Sequence, residues 1–142
     1  MSDSASVLFP MGAHVVVFND RGEVLLVRQG YDAQRYGIPG GRVLPGEQPT
    51  AAAIRETQEE AGVTVRIDRL IAMAVVDTGG LIFTFLGSVL SGELSIPATG
   101  EIIDIGWFPV DHLPRPIYSG THLAITDAQQ QNYGILYEVT LE

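Results

Sequence analysis

Residues 49–61 are bracketed by two residues that sharply delimit a helix, Pro49 at its first position and Gly62 just past its last. A proline there loses nothing, because its missing N–H would have no partner in the first turn. A glycine supplies the left-handed backbone that closes a helix. The spacing therefore predicts one helix of roughly 20 Å. Wound at about 100° per residue, Thr50, Ile54, Thr57 and Ala61 fall on one side, toward a core, and Glu56, Glu59 and Glu60 fall opposite. Ala52 and Ala53 share the acidic side one turn earlier, small enough for another segment to approach closely. Carboxylates three and four residues apart repel by about 0.2–0.5 kcal/mol per pair. They also lie toward the C-terminal end, where the helix dipole disfavours them. Two readings of this cluster follow from the residues alone. It is a solvated acidic face with Arg55 pairing to Glu59 at i+4, or it is a set of oxygen ligands for a hard divalent cation, which keeps waters and substrate phosphates in the rest of its shell.

Around this helix the chain reads mainly as strands. Residues 13–19 and 23–29 are β-branched and aliphatic, and "DRG" (20–22) between them reads as the turn of a hairpin. Residues 30–37 read as a polar loop, and 38–47, with two prolines and three glycines, exclude a long regular element. Residues 64–77 turn at "TGG" into a strand over 81–90, and "SGE" (91–93) is a further turn signal. Residues 101–113 hold a strand and a short helical turn, 120–132 a second helix, and 133–142 a last strand. Helices set among hairpin-connected strands predict an α/β sandwich with a mixed sheet. The long parallel alternation of a doubly wound fold is missing, as are GxGxxG and GxxxxGK[ST].

The length of 142 residues suits one domain spanning 1–142, and a hydrophobic share of 46% supports a packed core. No apolar run is long enough to span a bilayer, and "MSDSASVLFPMG" reads as a loose leader rather than a secretory signal. The chain has no cysteine, which excludes disulfides and thiolate chemistry and fits a reducing, cytoplasmic location. A formal charge of −9 argues against general nucleic-acid affinity. It would also repel a phosphate ester unless divalent cations invert the local field.

Gly41, Glu47, Arg55-Glu56, Glu59-Glu60 and Gly62-Val63 are spaced as in G-x5-E-x7-R-E-U-x-E-E-x-G-U, where U is a bulky aliphatic. This resembles the Nudix box, and eight of its nine positions agree. The exception is Thr57, on the core side of the helix, and Leu44 replaces an acid often found there in relatives. Outside the box, "VVVFNDRGEVLLVR" (15–28) resembles the family's opening hairpin, "YGIPGG" (36–41) its entry to the box, and "GEIIDIGWFPVDHLP" (100–114) its late strand.

The resemblance implies a Nudix-type α/β/α sandwich that hydrolyses a nucleoside diphosphate linked to another group, with Mg²⁺ or Mn²⁺ as cofactor. It implies that the Gly40 carbonyl binds metal beside Glu56, Glu59 and Glu60. It also implies that Glu47 and Arg55 pair to fix the loop against the helix. A carboxylate must take a proton from the attacking water. The family fixes no single position for that base, which leaves Glu56, Glu59 and Glu101, the last as ligand or base. Arg28 ends the second strand, where its fork of donors would meet a substrate phosphate; an ordinary surface arginine is the alternative. Tyr36 is read as stacking on a base or sugar, with simple packing as its alternative. Trp107 and Phe108 read as core; His122 as a remote choice of base; Asn132 as a purine contact.

Where subfamilies carry a distinguishing proline or tyrosine beyond the box, this chain reads Thr78-Gly79-Gly80. Lacking those marks, it leans toward a (deoxy)nucleoside triphosphate pyrophosphohydrolase, with ADP-ribose or nucleotide-sugar hydrolysis and a non-catalytic nucleotide sensor as the alternatives. The expected partner is a small nucleotide, with no nucleic acid and no membrane. Dimers are frequent in this fold, which leaves a homodimer open, although no apolar stripe argues for one.

Overall fold

The computed structural model describes residues 10–140, so the leader read over the first residues and the end of the last strand lie outside the described residues. Ten elements follow in order: β1 (Met11–Val17), β2 (Val24–Gln29), β3 (Tyr36–Gly37), β4 (Gly40–Arg42), α1 (Pro49–Ala61), β5 (Val63–Val76), β6 (Leu81–Gly92), β7 (Ile102–Phe108), α2 (Ser119–Gln129) and β8 (Ile135–Val139). The helix bounds predicted from Pro49 and Gly62 are those observed. Gly62 takes φ 80° and donates its N–H to Gln58 O at 3.0 Å.

A five-stranded sheet in the order β4-β1-β6-β5-β8 is mixed, because β1–β6 and β5–β8 run parallel while β1–β4 and β5–β6 run antiparallel. A three-stranded antiparallel sheet, β3-β2-β7, lies beside it. The hairpin expected of β1 and β2 is corrected here. Its turn exists: Asn19 Oδ1 accepts the N–H groups of Arg21 and Glu23 at 3.0 and 2.9 Å. Only the bridge Phe18↔Val24 joins the two strands, which then part into different sheets. The cause is double-sided burial. Val15, Val16 and Val17 of β1 and Val24, Leu25 and Leu26 of β2 are wholly buried, as strands covered on both faces must be. Residues Ala13, Val15, Val17, Leu25 and Val27 pack in one core with Ala52, Ala53 and Ala61 of α1. Val16, Val24 and Leu26 pack in another with Ala124, Ile125 and Ala128 of α2. The strands thus form the middle of an α/β/α sandwich.

The helix surface differs from the simple winding in one respect. Thr50 is exposed, while Ala52 and Ala53 are wholly buried under the close approach their size allows. Thr57 is wholly buried with its hydroxyl donating to Ala53 O at 2.7 Å, so a polar residue stands on the core side without an unsatisfied group. After β7 the chain makes a hydrogen-bonded turn, His112 N to Pro109 O at 3.0 Å, rather than the short helical turn expected there.

Candidate active site

Arg55 organises one side of the acidic helix. Its Nε and Nη2 donate to the two oxygens of Glu47 at 2.8 and 3.1 Å, the bidentate geometry that favours arginine–carboxylate pairs. Nη2 also donates to Arg42 O at 2.9 Å, and Nη1 to Glu56 and Glu59 at 3.0 and 3.1 Å. The Glu47 carboxylate further accepts the Leu44 N–H at 3.0 Å. These bonds, Arg55's first, hold the Glu47 carboxyl below the usual carboxylate range. The loop is thereby pinned to α1 as expected of this pair. Gly41 leaves room for the Glu56 carboxylate: a Cβ there would stand 2.6 Å from its carboxyl carbon and would displace it.

Glu60 faces a different environment. Its Oε1 accepts the Gly40 N–H at 2.9 Å, and among the described residues no arginine pairs with it. Burial pushes its carboxyl up to about 8, against the lowering effect of the Gly40 N–H, and the charges of Glu56, Glu101 and Glu59 push the same way. Burial also raises Glu56, with Arg55 opposing. Glu101 therefore lies within electrostatic reach of the helix, as a catalytic or ligand role outside the box requires. It is carried there by the loop before β7, whose Glu101 carbonyl accepts the Gly30 N–H at 2.8 Å. Glu59 is 57% exposed and turned toward Arg55.

Among the described residues no three acidic or histidine groups are gathered closely enough to enclose a cation. The donor set still fits a hard divalent ion. Glu60 is a largely buried carboxylate with no arginine or lysine paired to it among the described residues, Glu56 and Glu59 carry further oxygens on the same helix, and such an ion needs only one or two carboxylates alongside substrate phosphates.

Glu60 and Gly40 also line a cavity of about 660 Å³ between the two sheets and α2. Its walls are largely aliphatic, from Ile38, Ile71, Ala72 and Ile82, and its polar groups include His14, Gln29, Tyr118 and Asp127. Burial lowers His14 to about 4, so its imidazole is neutral near pH 7. The Tyr118 hydroxyl donates to Gln29 Oε1, and the Arg35 guanidinium lies 5.4 Å from its ring centroid. A Cβ on Gly37 would come within 3.2 Å of that ring.

Tyr36 is corrected to its packing alternative. It is 7% exposed, meets Phe108 edge-on at 5.4 Å and donates its hydroxyl to Asp104, so its ring is not available to a ligand. Arg28 lies outside the cavity lining, its Nε donating to Gln34 O at 2.8 Å and its guanidinium 5.3 Å from the Tyr36 centroid. His122 and Asn132 are exposed and do not line the cavity, while Trp107 packs against the core as expected. The sequence reading passed over Tyr118, Asp127 and Tyr137. One signal was present for Asp127: Thr121, Ala124, Ile125 and Ala128 repeat at helical spacing, and the acid sits on the flank of that buried stripe.

The profile of the NUDIX domain matches residues 8–128. A putative 8-oxo-dGTP diphosphatase of Bacillus subtilis (strain 168) is 32% identical over 111 residues, 75% of this chain and 71% of that protein. The 8-oxo-dGDP phosphatase NUDT18 of Mus musculus is 32% identical over 106 residues, covering 72% of this chain and 33% of that longer protein. The structure of a MutT NUDIX hydrolase from Burkholderia pseudomallei aligns with a TM-score of 0.74 at 27% identity, over 82% of this chain and 95% of that one. With the domain matched over most of its length, and with the spacing of its box built into α1 and the loop pinned to it, the chain belongs to the Nudix hydrolase family.

Proposed function

We propose that this Nudix pyrophosphohydrolase cleaves a (deoxy)nucleoside triphosphate to the monophosphate and pyrophosphate, with Mg²⁺ or Mn²⁺ at the acidic face of α1. The observation that carries this reading is the shared wall: Glu60, the acid that lacks a cation, stands on the cavity that would take the nucleoside. A cavity of this size, mostly apolar with a few polar groups, suits a small organic ligand. The similarity to 8-oxo-dGTP and 8-oxo-dGDP phosphatases supports a nucleotide as that ligand.

A bound divalent ion supplies Lewis acidity at the phosphate oxygens and a more acidic water. The chain's own residues do the rest. Gly40 and Glu60 fix the edge where the diphosphate meets the protein, and Glu56 and Glu59 present further oxygens from the same rigid helix. Glu47 and Arg55 keep the loop from moving away. Glu101, Glu56 or Glu59 takes the proton from the attacking water; Glu101 is the exposed acid that approaches the group from another loop. Tyr118 lines the cavity, and Tyr36 does not.

The test is a product analysis with nucleoside triphosphates, ADP-ribose, dinucleoside polyphosphates and nucleotide sugars, each with magnesium or manganese. Release of pyrophosphate and a nucleoside monophosphate is expected. Activity confined to ADP-ribose or nucleotide sugars would replace the triphosphate, and saturable binding without turnover would make the domain a sensor.

A further inference from the structure

Asp127 is 5% exposed and lines the same cavity as Glu60, from the opposite helix. Among the described residues no lysine or arginine pairs with it. Its Oδ2 accepts the Tyr137 hydroxyl at 2.6 Å, which fixes the carboxylate from β8. Its Oδ1 has only a long contact, 3.4 Å, from Asn132 Nδ2. A buried carboxylate with unused acceptor capacity is costly unless a donor completes it. Here the unfilled capacity adjoins a ligand cavity.

We infer that Asp127 reads the edge of the nucleobase and selects guanine. This rests on the reading of the cavity as a nucleotide site. An ionised carboxylate only accepts hydrogen bonds, so it matches a base that offers donors side by side. Guanine offers a ring N–H beside an exocyclic amino group. Adenine and cytosine each place a ring acceptor beside their amino group, and thymine flanks its one N–H with carbonyl oxygens; both arrangements repel a carboxylate. Hypoxanthine keeps the ring N–H and lacks the amino group. Oxidation of guanine at C8 leaves the donor edge intact, so Asp127 treats the oxidised and the normal base alike.

The experiment is steady-state hydrolysis of dGTP, dITP, dATP and dCTP by the wild type, Asp127→Asn and Tyr137→Phe, with melting temperatures measured alongside. In the wild type, dGTP is expected to have a KM about tenfold below that of dITP, with dATP and dCTP weaker still. Asp127→Asn should raise the dGTP KM by about tenfold or more and erase the dGTP/dITP ratio, with a smaller effect on kcat. Tyr137→Phe should keep the base preference while loosening the carboxylate and lowering the melting temperature. A wild type that shows no preference for dGTP overturns the inference without recourse to any variant. So does a preference that survives Asp127→Asn, which would leave Asp127 as a brace between α2 and β8. No turnover of any of the four nucleotides would instead remove the triphosphatase reading, and this inference with it.

Discussion

Two ends of one acidic face behave in opposite ways. Toward the loop, Arg55 donates to Glu47, Glu56, Glu59 and a backbone carbonyl, so those three carboxylates share one guanidinium. Toward the cavity, Glu60 has one backbone N–H and is held near pH 8 by burial. On the same helix, Glu56 and Glu59 share the Arg55 guanidinium with Glu47, and Glu60 does not. The difference is set by where a guanidinium reaches. It separates Glu47, which holds the loop, from Glu60, which no guanidinium reaches among the described residues.

Substitutions at the two ends should separate accordingly. Glu60→Gln should lower kcat/KM by at least about a hundredfold while leaving the far-ultraviolet circular dichroism unchanged; wild-type turnover would remove Glu60 from the site. Glu101→Gln should lower kcat by roughly tenfold to a hundredfold with little change in KM, and an unchanged rate would make it an ordinary surface acid. Arg55→Met should act through stability first, lowering the melting temperature by on the order of 5 °C. If Arg55→Met instead abolished activity at full stability, the division between the two ends would fail. Thr57→Val, which removes the one polar group on the core side, should change stability by no more than about 1 kcal/mol and leave turnover alone. A large loss there would mean that its bond to Ala53 O is more than a local accommodation.

What was legible in the sequence follows the same line. The bounds of α1 and its capping glycine are set by residues within a short span, so spacing located them, while the Glu47–Arg55 pair came from the resemblance to the Nudix box. The partition of β1 and β2 was not legible, because two apolar strands joined by a tight turn look alike whether they pair or part. Only the burial of both faces decides it. Tyr36 was misread because a tyrosine in a polar stretch says nothing of Phe108 and Asp104, which arrive from a strand far along the chain. The far wall of the cavity was hidden for the same reason. Tyr118, Asp127 and Tyr137 meet only when α2 and β8 dock, and Asp127 in sequence is one more acid in an acidic chain.

The contrast between the two ends can be measured through pH. A carboxyl raised by folding binds its proton more tightly in the native state than in the unfolded one. Its stabilising contribution is therefore present below about pH 4.5 and is lost as pH rises toward 8. Thermal unfolding of the metal-free wild type and Glu60→Gln, between pH 5 and 8, with and without millimolar magnesium or manganese, tests the central claim directly. The wild type should lose stability across that range by an amount of order a few kcal/mol beyond any loss in Glu60→Gln, and the added ion should restore most of it at pH 8. Equal pH slopes in the two proteins, with neither stabilised by the ion, would contradict the account.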